Sequence, residues 1–357
     1  MSDERRSTAQ TPDPLNERER GVLEAVVRSY VSTAEPAGSR TLARGFELGV
    51  SPATIRNTMS DLEEKGYLYH PHTSAGRIPT DRAYRYFVDQ IMRPATITSA
   101  ERERLHTELG TGSTGIESLV RLATRALSLI TRELGVAIAP DIDEAVLEKL
   151  DLAQVSSSKV LLVATIRGGL VRTVYVDLRI EVPSDTLLTL TVILNERLAG
   201  LTLRQIRETL LDRLRGSLDD DPAAEEFLNV FIQSSAELFS LPTSAESSVH
   251  IGHTSVLAEQ PEFTSSESLK SLIELTEKRD LLADVLTERA LGSGLTVTIG
   301  REHATLELND LTLVTAEYRA GNLKGVLGVI GPTRMPYEKV VAIVDYTSSL
   351  ISRVLTV

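Results

Sequence analysis

The chain has 357 residues, of which 41% are hydrophobic and 25% charged, with a formal net charge of −12 and no cysteine. This length predicts two or three domains, and the lack of cysteine excludes disulfides, cysteine-ligated zinc and a thiol nucleophile. Since neither a secretion signal nor a membrane-spanning apolar run is present, we expect a cytoplasmic protein with no membrane partner.

The negative charge is unevenly distributed along the chain. Residues 1–93 carry 13 basic and 13 acidic side chains, so the whole excess of acid lies in the remainder. Between Ser39 and Arg93 there are 8 basic and 6 acidic side chains. A weakly basic module of this kind is predicted to bind non-specific DNA poorly, and to depend on direct contacts and on dimerisation.

The first 14 residues are polar and contain proline, which predicts a disordered tail. Asn16 is a candidate cap for a first helix, because an Asn side chain can accept a hydrogen bond from a free first-turn amide. A short second helix is predicted over Ser39–Arg44, and a turn follows over Phe46–Val50.

A third helix is predicted over Ser51–Lys65, with Ser51 as its cap and Gly66 after its end. One face of this helix is apolar at helical spacing, and the opposite face is short and polar. An extended segment and a turn that contains Gly76 follow, which predicts a small two-stranded hairpin. A helix, a turn, a second helix and a hairpin are the parts of a winged helix-turn-helix, which we place at residues 15–93.

In such a fold the third helix enters the major groove of DNA by its N-terminal residues. Arg56 and Asn57 have the side chains that read guanine and adenine edges, while a wing arginine such as Arg77 meets phosphate or the minor groove. The full set of predicted DNA-contacting residues is Arg40, Ser51, Thr54, Arg56, Asn57, Ser60, His72, Ser74 and Arg77. The alternative is that this helix and hairpin only pack a core.

The helix predicted over Thr80–Ile91 has an aromatic face, and its Arg82 and Arg85 either contact phosphate or lie on a solvated surface. Further on, strand-like runs at 147–155, 159–166 and 171–178 and three helices up to residue 239 predict an antiparallel sheet covered by helices. A turn between the last two runs is predicted at Gly168-Gly169. The C-terminal third alternates strands and helices, and it ends in a helix over 336–355.

Two separated groups of motifs resemble one known family. The N-terminal group is TAEPAGS (33–39), SPATIRN (51–57), DLEEKGYL (61–68) and PHTSAGRIPT (71–80), and the C-terminal one is VIGPTRM (329–335) followed by Tyr337. They resemble the heat-inducible transcription repressor HrcA family.

The resemblance implies an α+β, multidomain fold. An N-terminal winged helix-turn-helix would be followed by a GAF-like antiparallel α+β domain, at 94–145 and 242–357. An inserted α+β dimerisation domain would occupy 146–241.

For function, the resemblance implies a homodimeric repressor that binds an inverted-repeat operator upstream of chaperone genes. It also implies release on heat stress and help from the chaperonin. The main alternative is a transcription regulator whose GAF-like domain binds a small effector. A third possibility is a protein-interaction or enzymatic role with an incidental winged helix.

The sequence His-Ile-Gly-His at 250–253 matches the adenylate-binding motif of class I aminoacyl-tRNA synthetases. That motif begins a helix in a nucleotide-binding sheet, whereas here it follows no βαβ pattern and lies late in the chain. No P-loop, dinucleotide-binding glycine motif or catalytic triad is evident, so we expect no enzyme activity, no metal and no cofactor.

Overall fold

The structure is a computed structural model, and it describes residues 15–71, 76–110, 116–140, 142–167, 170–179, 181–214, 222–239, 249–292, 294–321 and 323–355. The predicted tail and the predicted Gly168-Gly169 turn lie outside these ranges. The chain forms two compact units, and the first consists of Met1–Pro94, Thr298–Thr312 and Pro332–Glu338. The second consists of Ala95–Val297, Leu313–Gly331 and Lys339–Val357.

The first unit has three helices, then a short hairpin, then a fourth helix. The helices are α1 (Glu17–Thr33), α2 (Ser39–Gly45), α3 (Pro52–Glu64) and α4 (Asp81–Tyr86), and the strands are β1 (Leu68–Tyr69) and β2 (Ile78–Pro79). A π-helical turn over Phe87–Ile91 extends α4, and two 3₁₀ turns occupy Gly300–Glu302 and Leu306–Leu308. This element order confirms the one that the sequence predicts.

Side-chain caps fix where α1, α3 and α4 begin. Asn16 accepts a hydrogen bond from the Glu19 amide at 3.0 Å, and the Glu19 carboxylate accepts one from the Asn16 amide at 3.0 Å. This reciprocal pair satisfies two backbone donors at the start of α1. Ser51 and Thr80 likewise cap α3 and α4. A lost cap of this kind costs about 0.5–2 kcal/mol.

An aliphatic core joins the first three helices. Leu23 and Val26 of α1, Leu42 of α2, and Ile55 and Leu62 of α3 are all completely buried. Replacement of such a side chain by alanine costs about 2–5 kcal/mol, so these contacts hold α3 against α1 and α2. The apolar face predicted for α3 therefore packs in the core, and the polar face of the same helix does not take part in this packing.

The second unit contains a five-stranded sheet with the order β7-β3-β10-β9-β8. Its strands are β3 (Leu134–Ile138), β7 (Val249–Ile251), β8 (Leu295–Ile299), β9 (Leu311–Ala320) and β10 (Leu323–Pro332), and some end residues of β8, β9 and β10 belong to the first unit. Strand β3 pairs antiparallel with both β10 and β7. Gly328 allows close packing in this sheet, because a Cβ there would lie 2.0 Å from the Val314 carbonyl oxygen.

Helices also precede, separate or follow the strands of this sheet along the chain. They are α5 (Ser99–Leu109), α6 (Ile116–Thr131), α10 (Ser255–Ala258), α11 (Ser266–Glu277), α12 (Arg279–Leu291) and α13 (Tyr337–Leu355), of which α13 begins in the first unit. Helix α6 packs on β3, and the Ser128 hydroxyl accepts a hydrogen bond from the Gly135 amide at 2.8 Å.

A separate three-stranded antiparallel sheet has the order β4-β5-β6, as the sequence predicts. Its strands are β4 (Leu147–Ser156), β5 (Lys159–Ile166) and β6 (Leu170–Asp177). The helices that follow are α7 (Ser184–Leu198), α8 (Leu203–Leu214) and α9 (Pro222–Phe239). Buried and half-buried side chains alternate along β5, so only one face of the sheet is fully covered.

The fold is mixed α+β with antiparallel sheets. None of the helices in the described ranges is both long and apolar enough to traverse a bilayer.

Candidate nucleic-acid interface

The outer face of α3 is polar and exposed along its first two turns. Ala53, Arg56, Asn57 and Ser60 are all exposed, on the side opposite the buried Ile55 and its apolar neighbours. Among the described residues, no side-chain hydrogen bond or ion pair engages Arg56 or Asn57. These two side chains therefore have their donors and acceptors available for base edges.

Ser51 and Thr54 lie at the exposed start of the same helix. The Thr54 amide donates to the Ser51 hydroxyl oxygen at 3.2 Å, and the two hydroxyl oxygens lie 2.9 Å apart. This pair holds the first turn in helical form. The partial positive charge of a helix N-terminus favours a phosphate at this position, where both hydroxyls could also make contacts.

Helix α2 presents a second basic element. Arg40 and Arg44 are both exposed and lie four residues apart, so they share one face of the helix. Arg40 is among the residues that the sequence predicts to bind DNA, whereas Arg44 is not. The i, i+4 spacing is the signal that would have identified Arg44 as its partner.

The base of the hairpin is tied to the segment between α1 and α2. Ala37 and Arg77 exchange two backbone hydrogen bonds, at 2.9 and 3.0 Å, and so form an isolated antiparallel bridge. A Cβ at Gly76 would lie 2.3 Å from the Ala37 carbonyl oxygen, so only glycine fits there. This third extended segment was not foreseen from the sequence.

The side chain of Arg77 lies inside this arrangement, and only 15% of it is exposed. Its guanidinium forms an ion pair with Glu63 of α3 at 2.7 Å and also contacts the ring of His70. Contact between Arg77 and phosphate would require this pair to open. The role of Arg77 in DNA binding stays a prediction, as do those of His72 and Ser74, which lie outside the described residues.

An ion pair between the half-buried Lys65 and the buried Glu19 joins the end of α3 to the start of α1. Lys65 donates to the two carboxylate oxygens of Glu19 at 2.9 and 3.0 Å. Burial acts to raise the pKa of Glu19, but the hydrogen bonds from Lys65 and the Asn16 amide, with the Lys65 charge, hold that pKa below its ordinary value. The lowered pKa favours the charged carboxylate, and the pair fixes the end of α3 against the start of α1.

The arginines of α4 are also engaged. Arg82 donates to the Lys65 carbonyl oxygen at 2.7 Å and lies over the Tyr67 ring, and Arg85 pairs with Glu302 and Asp89. The phosphate contact considered for them from the sequence stays a prediction, and these intramolecular contacts show that the two side chains are not simply solvated. Asp89 lies four residues after Arg85, a spacing that the sequence does show. In contrast, Lys65, Tyr67 and Glu302 lie too far along the chain for sequence spacing to indicate them.

The His-Ile-Gly-His motif begins within β7, where His250 is paired with Ala137 of β3, and its last two residues follow the strand. Within the described ranges, no group of three or more His, Cys, Asp or Glu side chains could hold a metal ion. The polar face of α3 and its neighbours thus remain the strongest candidate site.

Comparison with known proteins decides the family. Residues 117–341 match the family model described as the HrcA protein C terminal domain. The chain belongs to the HrcA family. A heat-inducible transcription repressor HrcA from Chlorobium phaeovibrioides is 38% identical over 355 residues, covering 96% of this chain and 98% of the relative. The HrcA of Pelotomaculum thermopropionicum is 35% identical over 342 residues, covering 96% and 97%.

One solved structure shares the fold of this chain. The crystal structure of a hypothetical protein at 2.2 Å resolution matches with a TM-score of 0.66 and 22% identity, covering 96% of this chain and 99% of that one. At this identity the similarity shows the fold alone. The family match confirms the resemblance drawn from the N-terminal and C-terminal motifs.

Proposed function

We propose that this chain is a DNA-binding transcription repressor that acts as a homodimer on an inverted-repeat operator upstream of chaperone genes. In this proposal residues 15–93 form a winged helix-turn-helix and α3 is the recognition helix. The observation that carries it is the exposed, unengaged pair Arg56 and Asn57, on a helix whose opposite face is buried in the core. Relatives named heat-inducible transcription repressors support release on heat stress.

Base reading by α3 requires both its position and its free side chains. The hairpin and the Ala37–Arg77 bridge would form the wing beside it, and Arg40 and Arg44 of α2 would contact the backbone of DNA. The acidic side chains Asp61 and Glu64 lie exposed in the last turns of α3. They favour contact by the N-terminal half of the helix alone.

The homodimer would form through the inserted domain, residues 146–241, between the two parts of a GAF-like domain. Exposed apolar side chains in this segment support an interaction surface: Val171 and Tyr175 of β6, and Leu188 and Val192 of α7. Val171 and Tyr175 lie on the same face of the strand because two-residue periodicity separates the two faces of a sheet. A two-fold dimer would match the two half-sites of an inverted repeat.

Fluorescence anisotropy of the full chain with a labelled duplex tests this proposal. The duplex should carry the inverted repeat found upstream of the chaperone genes in the source genome, and a scrambled duplex of equal composition is the control. We expect tight binding to the inverted repeat, and loss of most of this binding when one half-site is scrambled. Equal affinity for all three duplexes would contradict a sequence-specific dimeric repressor.

A second series separates heat from an effector as the releasing signal. The complex should dissociate on heating without any added small molecule, and added chaperonin should help the cooled protein to recover operator binding. Heat stability combined with release by a small-molecule extract would instead favour the effector-binding alternative.

Sedimentation of the Tyr175→Asp variant tests the dimer surface, with Tyr69→Asp as the control at a matched exposed tyrosine. Only the change at Tyr175 should weaken dimerisation.

A further inference from the structure

Two segments from the C-terminal third of the chain are built into the same compact unit as the proposed winged helix. They are Thr298–Thr312 and Pro332–Glu338. The second includes most of the VIGPTRM motif and the tyrosine that follows it. Charged and tyrosine side chains of these segments contact α1 and α4.

Arg28 of α1 is held by Glu338. Its two terminal nitrogens donate to the two carboxylate oxygens at 2.9 and 2.8 Å, and its Nε donates to Glu24 at 2.9 Å. The hydrogen bonds to Glu338 raise the pKa of Arg28, more than burial lowers it. Arg334 adds a hydrogen bond of 2.7 Å to the carbonyl oxygen of Val31, also in α1. A bidentate pair of this kind fixes direction as well as distance.

Arg85 of α4 is held in the same way by Glu302. Its Nε donates to Glu302 Oε1 at 2.7 Å and a terminal nitrogen donates to Oε2, while a further nitrogen reaches Asp89 at 3.1 Å. Glu302 also accepts the Ile299 amide at 2.9 Å, which shapes the turn that carries it. At the start of α4, the Asp81 carboxylate accepts the Arg301 amide at 3.1 Å.

A tyrosine contact accompanies the two pairs. The ring of Tyr337 lies 5.7 Å from that of Tyr84 of α4, and these side chains are only 1% and 2% exposed. The hydroxyl of Tyr337 donates to the Thr333 carbonyl oxygen at 2.7 Å, and its oxygen lies 3.1 Å from the Thr312 hydroxyl. The C-terminal segments therefore supply part of the core under α4.

None of these contacts uses the proposed reading surface. Arg56, Asn57 and Ser60 remain exposed in the same unit. The segments therefore support the winged helix from α1 and α4 and do not cover α3.

We infer that Glu302 and Glu338 are positioning residues for DNA binding. Each holds one arginine, and together they fix α4 and α1 in the arrangement in which α3 can read an operator. The inference rests on the proposed function, and it assigns to these two carboxylates a role that needs no contact with DNA.

The sign of the effect separates positioning from simple electrostatics. Glu→Gln removes one negative charge from a unit that approaches a polyanion, and this change alone should strengthen DNA binding. If the carboxylates position the helices, the same substitution should weaken operator binding. Glu35→Gln is the matched control, because Glu35 is exposed in the same unit and, among the described residues, forms no side-chain pair.

The test uses the full chain with Glu302→Gln, Glu338→Gln and both together. At one fixed salt concentration, each single change should weaken operator binding about threefold to tenfold, and the double change more. Hydrogen exchange should quicken in α4 with Glu302→Gln and in α1 with Glu338→Gln. Glu35→Gln should bind equally well or more tightly and leave exchange unchanged.

A charge exchange guards against simple misfolding. Arg28→Glu and Glu338→Arg should each weaken binding, whereas the two together should restore part of it. The inference would be overturned if both Glu→Gln variants bound operator as tightly as the unaltered chain or more tightly, with unchanged hydrogen exchange. It would also be overturned if the combined Arg28→Glu and Glu338→Arg changes restored no binding. If the unaltered chain binds no operator, the proposed function fails. Hydrogen exchange in α1 and α4 of the Glu→Gln variants would then still show whether the two carboxylates fix these helices.

Discussion

In the described part of the chain, arginine side chains are unpaired at one surface of the first unit and paired with glutamates at another. On α3, Arg56 is exposed, and within the described residues no carboxylate pairs with it. On α1 and α4, Arg28 and Arg85 each meet both oxygens of a glutamate. What separates the two surfaces is the presence of a carboxylate supplied by a distant part of the chain.

This comparison shows why basic residues near the proposed helix-turn-helix cannot all be assigned to DNA. An arginine that is already paired with a glutamate presents little net positive charge to the phosphate backbone of DNA. Its guanidinium is also held in one orientation by the pair. A free arginine on an exposed helix face keeps its donors for a ligand. Arg77 belongs with the paired group, although its place in the hairpin suggests a wing contact.

The largest effect is expected when the free side chains are removed. A bidentate contact to the correct base discriminates by about 1–3 kcal/mol, so Arg56→Ala or Asn57→Ala should reduce the operator-to-scrambled affinity ratio about 5- to 150-fold. Anisotropy titrations of both duplexes would measure the ratio. A ratio unchanged in both variants would show that α3 does not read bases, and would restore the core-packing interpretation of this helix.

An intermediate effect should distinguish the exposed arginines of α2 from Arg77. Arg40→Ala and Arg44→Ala should each weaken binding to operator and scrambled DNA alike, and should lower the salt slope by about one. Arg77→Ala should change this slope less, because Glu63 already neutralises the arginine. Titrations at four salt concentrations would show the slopes. A full unit of loss for Arg77→Ala would mean that the pair opens on DNA, as the original wing assignment requires.

The smallest effect should be the pH dependence of the paired surface. Burial acts to raise the pKa of Glu302, but hydrogen bonds from Arg85 and the Ile299 amide, with nearby positive charge, hold that pKa below its ordinary 4.5. The pKa of Glu19 is lowered too. A lowered carboxylate pKa gives stability that is present above the unfolded value and is lost as the pH falls through the folded one.

Urea unfolding between pH 7 and pH 3 would measure this loss. Because half-exposed pairs contribute only about 0.2–1 kcal/mol, the Glu302→Gln variant should differ modestly from the unaltered chain at pH 7 and less below pH 4. Glu35→Gln is again the control. A difference that grows on acidification would contradict the assigned direction.

Much of the first unit could be predicted from its sequence, because local signals decide its helices. The caps at Asn16 and Ser51 and the apolar spacing in α3 act within one or two turns. The bridge from Ala37 to Arg77 and the pairs with Glu302 and Glu338 could not be predicted. They join residues separated by 40 to 310 positions, and no local pattern encodes which glutamate meets which arginine.

Hydrogen exchange of the full chain with and without operator DNA tests the central claim most directly. The claim is that the exposed start of α3 reads DNA, while α1 and α4 hold it in place. Added operator should slow exchange in residues 51–60 and leave 81–91 nearly unchanged, and scrambled DNA at equal concentration should protect 51–60 much less. Operator-specific protection confined to 81–91, with 51–60 unaffected, would contradict the claim.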